Sequence, residues 1–218
     1  MLLNTARRTF IASFSILLLA IICGPASHAM SCAGLVTPTE SASDTASGPY
    51  DEKIEAALEK VRLNIPEFDT NFEIIRSIDE GLQKISIINK RTQSFISFLK
   101  YRVSHQQVWK NSGFVDGPKT LYIEMEKTVT GITQNGLSTL LLGLALKDNP
   151  GIVRIQGDLH EDNFRIYLRH SGGGSYENKM RGITFTPAYK MRTYYGFTKF
   201  DIQNGKPDFD LQSFALSK

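Results

Sequence analysis

Apolar and polar positions alternate along two short stretches in the second half of the chain. Val153 and Ile155 alternate with Arg154 and Gln156, and Phe164, Ile166 and Leu168 alternate with Arg165, Tyr167 and Arg169. Period-two patterning predicts two half-buried strands, here flanking a tight polar loop led by Gly157. Earlier in the chain the period reads as helical. Ile54, Ala57, Leu58 and Val61 recur at helical spacing behind Asp51, Glu52 and Glu55, and Asn64 and Pro66 end that helix. Ile74, Ile75, Ile78, Leu82, Ile85 and Ile88 make one apolar face if Phe72 to Asn89 is a second helix. A third is expected over about Thr92 to Lys110, carrying Phe95, Phe98, Leu99, Val103 and Trp109. Thr120 to Lys127 fits either a strand or a helix. Leu137 to Leu146 is nearly all apolar and predicts a buried helix, closed by Asp148-Asn149-Pro150-Gly151. Ile183 to Thr186 and Tyr194 to Ile202 read as strands, and Ser171 to Ser175 as a glycine-rich turn. The expected class is α+β: a helical N-terminal half, then short antiparallel strands around the polar loop.

The first residues add an address. Arg7 and Arg8 precede an apolar run from Phe10 to Cys23, and Ser27-His28-Ala29 supplies small residues for cleavage after Ala29. The run is about fourteen residues, short of the roughly 18–20 that span a bilayer. Residues 1–29 thus read as a signal peptide, which places the mature chain in the periplasm or outside the cell with no membrane span. Residues 30–49 are mostly small or polar and read as a disordered spacer. One domain follows from residue 50, the natural number for 218 residues at 41% hydrophobic content. Cys23 leaves with the signal, so Cys32 has no partner for an internal disulfide, and Ala29-Met30-Ser31 is a poor lipobox for a lipid anchor on it. A net charge of +3 is too mild to argue for a nucleic-acid partner.

The loop concentrates chemistry. Asp158, His160, Glu161, Asp162 and Asn163 stand between two ordered elements. Asp158 and Asn163 have the D-x-x-x-x-N spacing of a kinase catalytic loop, in which the Asp takes the proton of the attacking hydroxyl and the Asn oxygen helps hold magnesium. A polar hairpin loop, with Asp and Asn present as turn formers, has the same composition. Glu126 and Lys127 read as surface charges.

The string Gly157-Asp158-Leu159-His160-Glu161-Asp162-Asn163-Phe164 resembles the G-D-x-H-x-x-N-F core of a bacterial family, domain of unknown function 2252. That family is similar to aminoglycoside and choline phosphotransferases. Phe200-Asp201-Ile202-Gln203-Asn204 and Asp210-Leu211-Gln212-Ser213-Phe214-Ala215-Leu216-Ser217 are similar to its later strings. The resemblance implies a kinase-like domain over 50–218, one that stops short of most of the family's C-terminal helical lobe. It also implies Mg2+ and ATP or another nucleotide, with a small-molecule or protein acceptor. Asp158 would be the base, His160 would support the loop, and Asn163 and Asp201 would bind the metal. Asp208 and Asp210 are rivals to Asp201. Phe98-Leu99-Lys100 is similar to the family's F-x-R, which would put Lys100 near the phosphate.

Three functions follow. The first is magnesium-dependent phosphoryl transfer. The second is a non-catalytic, degenerate kinase-like module that binds a ligand outside the cytoplasm, where ATP is scarce. The third is a metallophosphoesterase, since a strand ending in Asp158-Leu159-His160 resembles the D-x-H that opens such sites. Its downstream G-N-H-[DE] string is missing from this sequence.

Overall fold

The computed structural model describes residues 48–110, 113–129, 132, 135–172, 175–200, 202–203, 206–207 and 213–218. The expected signal peptide, nearly all of the expected spacer, Cys32, Asp201, Asp208 and Asp210 lie outside the described residues.

The fold is α+β, as expected, but the strands lie where helices were expected. Helix α1 (Asp51–Asn64) buries Ile54, Ala57 and Val61. A short α2 (Phe68–Asn71) leads into β1 (Phe72–Asp79) and β2 (Leu82–Asn89), and these two strands replace the predicted second helix. The cause is Glu80-Gly81. Both take positive φ, 54° and 80°, which makes a two-residue hairpin turn in the middle of the isoleucine run. Isoleucine is also β-branched and packs better on a pleated surface than in a helix. The third predicted helix is β3 (Phe95–Lys110). Here Leu99, Tyr101 and Val103 turn into the core while Lys100, Arg102 and Ser104 alternate with them, a period of two. The open choice at Thr120 to Lys127 resolves as strand, within β4 (Gly113–Thr128).

The predicted buried helix forms as α3 (Leu137–Asp148) and connects β4 to β5 (Arg154–Asp158). The polar loop then departs from expectation, because only its leading flank is a strand. Its trailing flank is α4 (Glu161–Ser171). Glu161 and Asp162 sit at the positive end of the helix dipole, and Gly172 closes it at φ 58°. Phe164, Tyr167 and Ser171 form its inward stripe at helical spacing, and this overrides the alternation of Phe164, Ile166 and Leu168. Leu168 is 54% exposed as a result. The predicted strand at Ile183 is the end of α5 (Tyr176–Thr184). Thr186 caps α6 (Pro187–Tyr194), its hydroxyl accepting from the Tyr189 amide. Short strands follow as β6 (Lys199–Phe200), β7 (Ile202–Gln203), β8 (Lys206–Pro207) and β9 (Ser213–Ser217).

The main sheet has the order β1-β2-β3-β4-β5-β9-β6, and β7 pairs with β8. Every pairing is antiparallel except β4 with β5, which are parallel and joined through α3. That crossover lays α3 against β2, β3 and β4, with α1 and α6 packed on its flanks. Gly143 permits this closeness, since a Cβ there would meet the Tyr195 hydroxyl at 2.2 Å and Ile54 at 2.8 Å. Tyr195 donates from that hydroxyl to the Thr139 carbonyl at 2.8 Å. Arg76 of β1 pairs with Asp148 at the end of α3, which pins the helix to the far edge of the sheet. Among the described residues no helix is long and apolar enough to cross a membrane.

Candidate functional site

The parallel pair positions the site. β4 and β5 are in register from Thr120–Arg154 to Ile123–Gly157 and then part. Against β3, the pairs Tyr101–Ile123 and Lys100–Met125 are consecutive on β3, so Glu124 is an extra residue on β4. Such a bulge bends its strand and re-aims the side chains beyond it. β4 runs on to Thr128 paired with β3 alone, so its β5-facing edge has no strand partner from Glu124 onward among the described residues. β5 ends at Asp158. A wedge therefore opens at the carboxyl ends of the parallel strands, where ligands of α/β sheets commonly bind.

Gly157 closes the apex of the wedge. A Cβ at this position would lie 2.8 Å from the Ile123 carbonyl oxygen and 3.0 Å from Arg192 Nη2. Arg192 comes from α6 and is 1% exposed. Its Nη1 donates to the Phe214 carbonyl at 2.9 Å and its Nη2 to the Gly157 carbonyl at 3.3 Å. The guanidinium lies 3.9 Å over the Phe214 ring, and Nε has no hydrogen-bond partner among the described residues. Burial lowers its pKa to about 9, although the charges of Glu126 and Asp158 oppose the shift.

Glu126 sits just past the bulge and is partly buried. Desolvation raises its carboxyl above the usual carboxylate range. A hydrogen bond from Ser138 and the charges of Arg192 and His160 pull the other way without winning. Ser138 belongs to the first turn of α3, so strand and helix meet at this carboxyl. Glu126 is therefore not the surface charge expected from sequence. On one side of the apex a cavity of about 160 Å3 is lined by Arg102, Tyr122, Ile123, Glu124, Gln156, Gly157 and Asp158. Arg102 donates to Glu124 at 2.7 Å and stacks 4.3 Å from the Tyr122 ring.

The sequence-derived residues divide. Asp158 is exposed at the tip of β5 and lines the cavity. His160 is the exposed N-cap residue of α4, close enough for its charge to reach Glu126. Asn163 is turned toward structure: its Oδ1 accepts from the Ala188 amide at 3.0 Å and ties α4 to α6. Lys100 lies on β3 rather than a helix, with its ammonium 2.9 Å from Asp79 and 3.5 Å from Glu80 at the β1–β2 turn. Asp201 is outside the described residues, and among those described no group of three or more His, Cys, Asp or Glu side chains is placed to hold a metal.

Glu126, Ser138 and Arg192 were not anticipated. Arg192 had a signal, because it interrupts the apolar stripe of Ala188, Met191 and Tyr195 on one face of α6. Comparison with protein-family models finds none that matches the chain, and no curated protein matches it.

Proposed function

We propose that the wedge binds the extended arm of an acyl-coenzyme A and that the chain transfers the acyl group to an amine. One observation carries this reading: the unpaired β4 edge passes directly beside Glu126, a desolvated carboxyl with a raised pKa. An open strand edge takes an extended chain with alternating amide donors and acceptors. The pantetheine arm of coenzyme A is such a chain. The start of α3 follows at the same end of the sheet, and the first turn of a helix attracts anions such as the coenzyme's diphosphate. A mononucleotide has the phosphates but lacks the amide-bearing arm.

A carboxyl poised above its ordinary pKa suits a general base. The amine nitrogen attacks the thioester carbonyl, Glu126 accepts the ammonium proton, and the C–S bond breaks to give an amide and a thiolate, which takes a proton. The charge of the buried Arg192 reaches Glu126, and fixed positive charge in a desolvated site stabilises negative charge that develops there.

Phosphoryl transfer remains as a second reading, favoured by one observation: Asp158 is exposed at the carboxyl end of β5, where an attacking hydroxyl could reach it. Calorimetric titration separates the two. Binding of acetyl-coenzyme A without magnesium, thiol release with a primary amine, and loss of turnover by about 10²–10⁴ in Glu126→Gln support acyl transfer. ATP binding that requires magnesium, with no coenzyme binding, replaces it with phosphoryl transfer. A folded chain that binds neither is a non-catalytic module.

A further inference from the structure

Among the described residues β1 is an open edge of the main sheet. Among those residues it pairs with β2 alone, in an unbroken register from Phe72–Asn89 to Asp79–Leu82. Proteins usually blunt such an edge with a proline, a bulge or charged side chains; β1 has no proline, lysine or bulge, and of its three charges Arg76 and Asp79 are already paired within the chain, with Asp148 and with Lys84 and Lys100. It exposes two isoleucines instead, Ile75 at 38% and Ile78 at 78%.

We infer that β1 pairs with β1 of a second copy of this chain, antiparallel about a two-fold axis at Ile75. The turn fixes which groups are available. Asp79 and Leu82 flank a two-residue hairpin turn and so exchange both backbone hydrogen bonds. Counting back, Ser77, Ile75 and Glu73 bond toward β2, and Ile78, Arg76, Ile74 and Phe72 direct their amides and carbonyls outward. A two-fold partner must pair these outward residues with one another. Centring on Ile75 sets Ile74 against Arg76 and Phe72 against Ile78, so the exposed Ile78 gains an apolar neighbour. Ile75 meets its own copy across the axis, and Glu73 meets Ser77. Centring on Arg76 would oppose two arginines and bring Glu73 against Asp79, and like charges directly opposite repel. Centring on Ile74 would leave Ile78 unpaired. The Ile75 register thus joins the two seven-stranded sheets through about eight backbone hydrogen bonds.

The test is sedimentation over a concentration series, followed by cross-linking. Ile75 and its copy form a non-hydrogen-bonded pair, with Cα atoms about 4.5 Å apart, within disulfide reach. In a chain carrying Cys23→Ser and Cys32→Ser, Ile75→Cys should give a covalent dimer under mild oxidation, whereas Ser77→Cys should not. Ile75→Lys places two ammonium groups together and should weaken association about tenfold or more with the melting temperature little changed. Ile78→Pro removes only an outward amide and should weaken it as well. A wild-type chain that stays monomeric, or a dimer that does not cross-link through Ile75→Cys, overturns the inference.

Discussion

Gly157→Ala tests the apex of the wedge directly. The added methyl would stand 2.8 Å from the Ile123 carbonyl oxygen, 2.9 Å from Ile123 Cβ and 3.0 Å from Arg192 Nη2. Two of these neighbours belong to a paired strand and cannot swing away. Overpacking of that kind costs about 1–3 kcal/mol. If Arg192 yields instead, part of a hydrogen bond from a charged group is lost, worth about 1.5–3 kcal/mol in full. The sum is roughly 2–4 kcal/mol, which for a domain of this size lowers Tm by about 5–15 °C. Gly113→Ala is the control, because no atom of the described residues lies within 4 Å of its new methyl. It should stay within about 0.5 kcal/mol of wild type. Urea and thermal unfolding of both variants measure the difference. If Gly157→Ala melts with Gly113→Ala, the last β4–β5 rung is not closed as described, and the wedge built on it fails.

Three further outcomes are expected. Asn163→Ala removes the bond to the Ala188 amide and should cost about 1 kcal/mol, with faster hydrogen exchange at the start of α6; if it destroys ligand binding and leaves stability intact, Asn163 belongs to the site instead. Lys100 and Lys84 hold the Asp79 carboxyl below its ordinary value of 3.8. A depressed carboxylate stabilises the fold above that value and ceases to do so as pH falls through the lower folded pKa, so Asp79→Asn should flatten the acid limb of a stability–pH curve. If the signal peptide is cleaved as the sequence suggests, mass spectrometry of the exported chain should show Met30 as its first residue, and an intact chain retained in the cytoplasm would refute it.

The sequence was legible where one period dominated. In α1 and α3 the apolar residues fall on one face or fill the helix, and both elements lie where they were expected. The isoleucines of β1 and β2 misled because a hairpin can imitate a helix. Ile74, Ile78, Leu82, Ile85 and Ile88 come from two strands, yet they follow one another in steps of four, four, three and three residues. Glu80-Gly81 was the mark that should have broken the run, since glycine after a polar residue is a turn signal. The opposite error occurred after the polar loop. Phe164, Ile166 and Leu168 alternate, but Glu161, Asp162 and Gly172 are the stronger cues for where a helix begins and ends.

The site was legible only in part, and the reason is topological. Asp158 and His160 stand on one short segment, so sequence neighbours became spatial neighbours. Glu126, Ser138 and Arg192 come from β4, α3 and α6, and only the crossover brings them together. Sequence alone cannot show that the strand carrying Glu126 parts from its neighbour, because the bulge at Glu124 is defined by the register against β3. Gly157 is the exception. Read as the lead-in to a tight polar loop, it is instead the last rung of a parallel pair, where any side chain would collide with the Ile123 backbone. A glycine inside a strand marks close approach as readily as flexibility. Here that approach holds the strands together at the apex, and immediately beyond it the bulge lets them part beside a carboxyl that desolvation holds above its usual range.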